Sequence, residues 1–274
     1  MTNWECLNLG AKLLEEAEIE NARFDAMCLL QSALNLNSAE ILFRKNEPVN
    51  LDDFDKFFKM IAQRGRKNPL QYILGKWEFY GFDFYVGEGV LIPRPDTEIL
   101  VEYVENNPLK ENPVVFDLCS GSGCIGISVA KILKNSTVYL SEKSEDAYKY
   151  ILKNIELNSV KNVKPYCVPI PEIFSQLPQA DIIISNPPYI KTGELNTLQD
   201  EVKKEPMLAL DGGEDGLDFY RLLKEYAVDK LNDKGYIIVE CGDTQAQDVA
   251  KIFSTNIILK DYHGIDRAVV FRKD

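Results

Sequence analysis

Val114-Val115-Phe116-Asp117-Leu118-Cys119-Ser120-Gly121-Ser122-Gly123 reads as a short strand running into a glycine-rich turn. Val114 to Leu118 is almost wholly apolar and β-branched-rich, as a parallel strand covered on both faces should be. A turn of this kind ahead of a helix lets a ligand approach the backbone closely and meet unpaired N–H groups. Similar apolar runs recur at 137–140, 181–185 and 236–239, with helical segments at about 124–134, 144–157 and 216–231 between them. Residues 256–272 supply two more strands. Strand and helix in alternation predict an α/β domain with a doubly wound sheet.

Upstream, the first 70 residues predict a small helical bundle. Thr2 and Glu5 have capping-box spacing, followed by Leu7, Ala11, Leu14 and Ala17 at helical period. Ala22, Ala26, Leu29, Leu30 and Ala33 mark a second helix; Asn50 and Asp53 open a third, with Phe54, Phe57, Phe58 and Ile61 as its apolar stripe. Lys56, Lys59, Arg64, Arg66 and Lys67 form the densest basic cluster, read as a solvated helix face. From Gln71 to Val86, aromatic alternation around Tyr80-Gly81 predicts a β-hairpin. Ile92-Pro93-Arg94-Pro95-Asp96-Thr97-Glu98 then gives an extended entry, with Thr97 or Asp96 capping a helix to about Glu105. The expected division is a helical domain over 1–70, a hairpin linker over 71–92 and the α/β domain over 93–274.

The chain has 274 residues, 45% of them hydrophobic, which is ample for a core. With 31 basic and 43 acidic side chains the formal charge is −12, so stable binding of nucleic acid through the bulk field is not expected. Six cysteines without a C-x-x-C pair, beside one histidine, argue against a metal site and against a disulfide framework. No run approaches the roughly 20 apolar residues of a membrane span. The expectation is a cytoplasmic, reduced chain with no membrane partner, and a monomer.

Gly121, Gly123 and Gly126 also spell G-x-G-x-x-G, which would suit a nicotinamide oxidoreductase. Glu142, closing the next strand, can accept from both hydroxyls of a ribose at the carboxyl end where such folds bind ligands. Asp117, just before the loop, gives D-x-x-x-G-x-G, a pattern that resembles motif I of class I S-adenosylmethionine (SAM)-dependent methyltransferases.

The strand Asp181 to Ser185 is followed by Asn186-Pro187-Pro188-Tyr189. Two prolines end the strand, stiffen the backbone and remove competing N–H donors. An amide oxygen and the neighbouring Pro187 carbonyl can then accept both hydrogens of a planar NH₂ group, with Tyr189 offering a face for stacking. That would hold the nitrogen before a sulfonium methyl, with orientation and proximity supplying much of the acceleration. A purely structural turn would not require Asn and Tyr at those two places.

[D/N]-P-P-[Y/F] in this position is similar to the motif of amino-methyltransferases acting on planar nitrogens. Over nearly the whole chain the sequence resembles the HemK/PrmC-type glutamine N5-methyltransferases of peptide chain release factors. The resemblance is carried by Pro69 to Gly75, residues 92–98, the glycine loop, Asn186 to Ile190, Glu201-Val202, Glu205-Pro206, Ala209 to Gly213 with Asp215 to Leu217, and Asp266-Arg267. It implies a class I, Rossmann-like methyltransferase domain with an antiparallel last strand behind a helical substrate-docking domain. It further implies that SAM, leaving as S-adenosylhomocysteine, is held by Asp117, Cys119, Ser120, Gly121, Ser122, Gly123, Glu142, Glu172, Ile173 and Asn186. Asn186, Pro187 and Tyr189 would be catalytic, and Pro188, Arg94 and Thr97 would join them in binding the glutamine of a release factor's Gly-Gly-Gln loop. Three departures are visible: Cys119 stands at a glycine position, which implies a backbone that a non-glycine residue tolerates; Glu142 and Glu172 stand where aspartate is usual; Ile173 stands where an aromatic is sometimes found. A ribosomal-protein glutamine methylase would look almost the same in its catalytic half. An adenine-N6 DNA methylase would need a basic groove and a target-recognition region. A non-catalytic SAM-binding module would leave Asn186 to Tyr189 idle.

Overall fold

The computed structural model describes all 274 residues, which divide into two units: Met1–Gly75 with Gln199–Lys204, and Lys76–Leu198 with Glu205–Asp274. Neither contains a helix long and apolar enough to cross a membrane.

The first unit is built from α1 (Asn3–Glu16), α2 (Ala22–Leu34), α3 (Ser38–Phe43), α4 (Leu51–Gly65) and α5 (Leu70–Leu74). Thr2 and Glu5 form the capping box that their spacing predicts, and Asn50 caps α4 through the Asp53 amide. Leu7, Leu14, Leu29, Leu30, Phe57 and Ile61 are buried at its centre. The short α3, capped by Asn37 and Glu40, is legible only from its caps and escapes a search for apolar period. Arg64 departs from the solvated-face reading of the basic cluster. It is buried and bridges Asp25 (2.5 Å) and Glu201 (2.7 Å), so the 199–204 segment is tied into this unit by an ion pair. Such a pair is costly to break from one side, because the other charge stays buried.

The second unit opens with β1 (Lys76–Phe79) and β2 (Phe82–Tyr85), an antiparallel hairpin. Tyr80 and Gly81 both take positive φ (52° and 74°), as a two-residue turn of type I′ requires. The strands start later than the aromatic pattern suggests. Gln71 to Leu74 is helical, because Pro69 starts a turn that Gly75 closes in the left-handed region.

The remaining elements are α6 (Glu98–Asn106), β3 (Val114–Leu118), α7 (Cys124–Ile132), β4 (Thr137–Glu142), α8 (Glu145–Asn158), β5 (Val163–Cys167), α9 (Ile170–Gln176), β6 (Ala180–Ser185), α10 (Asp218–Ala227), β7 (Leu231–Glu240), α11 (Ala246–Phe253), β8 (Ile257–Lys260) and β9 (Asp266–Arg272). Seven strands form one sheet in the order β5-β4-β3-β6-β7-β9-β8, parallel except that β9 runs antiparallel to both neighbours. Successive residues of the central strands feed opposite layers. Val115, Ile182 and Ile184 pack with Leu100, Ile125 and Ile151 of α6, α7 and α8. Phe116 and Ile183 pack with Phe174, Leu223 and Phe253 of α9, α10 and α11. β5 has no apolar run; it is a half-buried edge strand, a setting in which proline is accommodated, and carries Pro165.

Candidate functional site

β3 lies between β4 and β6, so the chain leaves the centre of the sheet in opposite directions and a crevice opens at the carboxyl ends of these strands. A cavity of about 200 Å³ occupies it. Its floor is Cys119 and Gly121 after β3; one wall is Ser141 and Glu142 ending β4, another Asn186 and Pro188 after β6. Val168, Pro169, Ile170, Phe219 and Leu222 supply apolar lining, and Gly89, Leu91, Pro206, Leu208 and Ala209 complete it.

The floor is held from below. Gly126 N donates to Asp117 Oδ2 (2.9 Å), Ser120 Oγ donates to the Asp117 carbonyl (2.7 Å), and Asn154 Nδ2 donates to the Ser122 carbonyl (2.9 Å). Cys119 takes φ 59°, in the left-handed region that favours glycine and that a non-glycine residue occupies only at a cost. Holding a non-glycine residue in that region costs about 1 kcal/mol. Burial pushes the Cys119 thiol far above the ordinary range, and the nearby Glu142 charge adds to this, so the thiol stays protonated. Gly121 (φ 54°) has nothing within 4 Å of where a Cβ would stand, which leaves its upper face open to the cavity. Ser120, Ser122 and Gly123 turn into the protein instead of lining it.

Glu142 accepts from Gly121 N through Oε2 (2.9 Å) and from Ser144 N through Oε1 (2.8 Å). Each oxygen keeps a lone pair for a ligand hydroxyl. Burial raises this carboxyl's pKa and the backbone donors oppose it. Asp117 is fully buried, and desolvation lifts it to about 7; its Oδ1 has no hydrogen-bond partner. Glu172 and Ile173 do not join the cavity. Both lie on α9, Glu172 exposed and Ile173 packed in the core beneath, so residues 168–170 form that wall in their stead.

On the opposite wall Asn186 Nδ2 donates to Thr97 Oγ1 (3.2 Å), and no donor of the chain reaches Asn186 Oδ1 or the Pro187 carbonyl. Thr97 is buried, and Arg94 is engaged by the buried Glu205, which also accepts from Ile92 N (3.0 Å). Tyr189 points away from the cavity and donates its hydroxyl to Glu240 Oε1 (3.2 Å). The turn is clamped from behind: Ile190 N donates to the Leu210 carbonyl (3.0 Å), Gly212 N to the Ile190 carbonyl (2.8 Å) and Gln245 Nε2 to the Tyr189 carbonyl (2.9 Å).

Residues 5–75 match the family model "PrmC N-terminal domain" and residues 95–213 match "Methyltransferase small domain". The chain is 39% identical to the release factor glutamine methyltransferase of Fusobacterium nucleatum, over 99% of this chain and 79% of that protein. It is 40% identical to the one from Geobacter sulfurreducens, over 93% and 91%. The chain belongs to the release factor glutamine methyltransferase family. Among solved structures, a methyltransferase from Pyrococcus furiosus shares the fold at 19% identity and a TM-score of 0.51, covering 71% of this chain and 90% of that one.

In this family member several residues at the site escaped the sequence reading. Asn154 had a signal: it sits on the same helical stripe as the buried Ala147 and Ile151, where a polar side chain needs a purpose. Its amide exchanges bonds with both Tyr85 backbone groups and with Ser122, tying the hairpin to the glycine loop. Glu240, like Glu142, is a carboxylate closing an apolar strand. Glu205 and Phe219 had no local signal, because only the folded chain brings them to the crevice.

Proposed function

We propose that this protein transfers a methyl group from S-adenosylmethionine to the side-chain amide nitrogen of a glutamine in a peptide chain release factor. The observation that carries the reading is a free acceptor pair, Asn186 Oδ1 and the Pro187 carbonyl, above a ligand crevice floored by a glycine loop.

The residues present fit the cofactor. Gly121 leaves room above the loop, Glu142 retains acceptor capacity for two hydroxyls, and Pro169, Ile170 and Phe219 offer apolar faces of the kind an adenine ring packs on. When bound, S-adenosylmethionine supplies a methyl carbon on a cationic sulfur; the amide nitrogen forms the new C–N bond, the C–S bond breaks, and sulfur keeps the electron pair.

Asn186 and Pro187 accept the two hydrogens of the substrate NH₂ and so fix the plane of the amide. The prolines hold both acceptors rigid before substrate arrives, which is where a poor nucleophile gains most. An N-methylated amide cation is a strong acid, so its surplus proton, resting against Asn186 Oδ1 or the Pro187 carbonyl, is lost without a dedicated base. His263, in an exposed turn, is not needed. The first unit is proposed to dock the release factor, and Arg94 and Thr97 to support the substrate side through Glu205 and Asn186.

The test is transfer of labelled methyl to purified release factor, beside a variant whose Gly-Gly-Gln glutamine is alanine. Labelling of the native factor alone is expected. Equal labelling of both, or of neither while the cofactor binds, overturns the reading. Asn186→Ala should abolish transfer while cofactor affinity by calorimetry stays close to wild type.

A further inference from the structure

Gln245, immediately before α11, is 8% exposed, and its side-chain amide meets backbone groups of three separate loops. Oε1 accepts from Gly242 N (3.1 Å); Nε2 donates to the Tyr189 carbonyl (2.9 Å) and, at 3.4 Å, to the Gly216 carbonyl. A backbone N–H only donates and a carbonyl only accepts, so these partners fix which end of the amide faces which way. Two glycines leave room for it: a Cβ at Gly242 would stand 2.8 Å from Oε1, and one at Gly216 would stand 2.5 Å from Nε2. Gln245 itself lines no part of the cavity.

What this amide holds is the acceptor turn. Of the backbone carbonyls of Asn186, Pro187, Pro188 and Tyr189, only that of Tyr189 accepts a hydrogen bond from the chain, and Gln245 is the donor. The two prolines have φ locked near about −65°, which leaves few torsions to absorb a shift at Tyr189 before it reaches the Pro187 carbonyl. We propose that Gln245 is a positioning residue for methyl transfer: by tying the Tyr189 carbonyl to the loop after β7, its amide sets where the Pro187 carbonyl and Asn186 stand before the substrate amide. The Gly216 contact runs towards α10, whose Phe219 and Leu222 line the cavity. At 3.4 Å it is the weaker bond, so loss of the amide falls on the acceptor side before the cofactor side.

This inference rests on the acceptor reading above, and the experiment separates the two. Methyl transfer to release factor is measured for wild type, Gln245→Met and Gln245→Glu between pH 6 and pH 8, with cofactor affinity and Tm alongside and kcat referred to the protein that binds cofactor. Gln245→Met keeps the side-chain length and removes the amide. It is expected to lower kcat about tenfold, short of the roughly 10²-fold loss from a full 1 Å misplacement, with KM and cofactor affinity near wild type. Gln245→Glu tells positioning from packing. Ionised, it sets an oxygen against the Tyr189 and Gly216 carbonyls; protonated, it accepts from Gly242 N and donates to Tyr189, restoring the bonding pattern of the amide. Its kcat relative to wild type is therefore expected to rise several-fold as pH falls from 8 to 6. Glu240 on the Tyr189 hydroxyl, and Asp215, Asp218, Arg221 and Asp243 on the flanking segments, are common to both proteins, so division by wild type at each pH removes their titration. Wild-type kcat in Gln245→Met, or a Gln245→Glu ratio that is the same at every pH, would overturn the proposal. If Gln245→Met fails to fold, the pH series decides the matter by itself. If wild type labels no release factor, the acceptor reading fails and takes this inference with it; if wild type labels it and the variants match wild type, this inference alone falls.

Discussion

Gly212→Ala isolates the geometry of the acceptor turn from its chemistry, because Gly212 contributes no side chain and its φ lies outside the left-handed region. An added Cβ would stand 2.7 Å from Tyr189 Cα, 2.8 Å from the Pro188 carbonyl oxygen and 2.9 Å from the Tyr189 carbonyl carbon. Carbon atoms rest comfortably at about 3.5 Å or more, so about 0.8 Å must be found. All three neighbours are backbone and cannot rotate aside. The turn and the 210–212 segment are joined by hydrogen bonds in both directions, so the displacement passes into Pro187 and Asn186. Overpacking of this kind costs about 1–3 kcal/mol, which lowers Tm by several degrees. A shift approaching 1 Å in reactant-holding groups can cost about 10²-fold in rate. Expected are a kcat reduced by about that factor, a lower Tm and nearly unchanged cofactor affinity, measured by methyl transfer, thermal melting and calorimetry. A kcat within about twofold of wild type, whatever happens to Tm, would refute the claim that this glycine sets the turn.

Three further outcomes are expected. Glu142→Ala removes the acceptor for Gly121 N and Ser144 N along with the proposed ribose partner; at about 1.5–3 kcal/mol for a charged acceptor, the cofactor's Kd should rise about ten- to a hundredfold. Glu142→Asp should lose much less, and an unchanged Kd in Glu142→Ala would remove the residue from the site. Phe219→Ala, by deleting a ring from the cavity wall, should weaken cofactor binding several-fold while leaving Tm close to wild type; equal affinity would show that the wall is not used. Asp117 has a folded-state pKa of about 7, above its unfolded value, so the stability it contributes is present in full at low pH and is lost as pH rises through about 7. Asn cannot titrate, so the Tm of Asp117→Asn relative to wild type should climb between pH 5 and 8; a constant difference would show that the carboxyl is not shifted.

The helical opening, the alternating α/β body and the strand–loop–helix unit at 114–132 follow from local periods and caps, because the forces that select them act within a few residues. β5 does not, since an edge strand with one partner needs no apolar run to be stable. At the site, Asn186, Pro187 and Glu142 declare themselves by residue type and by their seat at the ends of strands. Glu172 and Ile173 mislead, because one short helix turn separates lining the cavity from facing the core.

Sequence by itself determined the family pattern, the sheet's central strands and the place of the Asn186 to Tyr189 tetrapeptide after one of them, all of which are written in contiguous residues. Tertiary structure alone decided that Cys119 adopts the left-handed conformation, that Gly212 abuts the Pro188–Tyr189 backbone, that Asn186 meets Thr97 and that Tyr189 meets Glu240. Those four residues come from a loop, a turn and a strand far apart along the chain. No local rule connects them; only the pairing of β6 with β7 and the fold around that pair bring Asn186 to Thr97 and Tyr189 to Glu240, where burial makes a lost hydrogen bond costly.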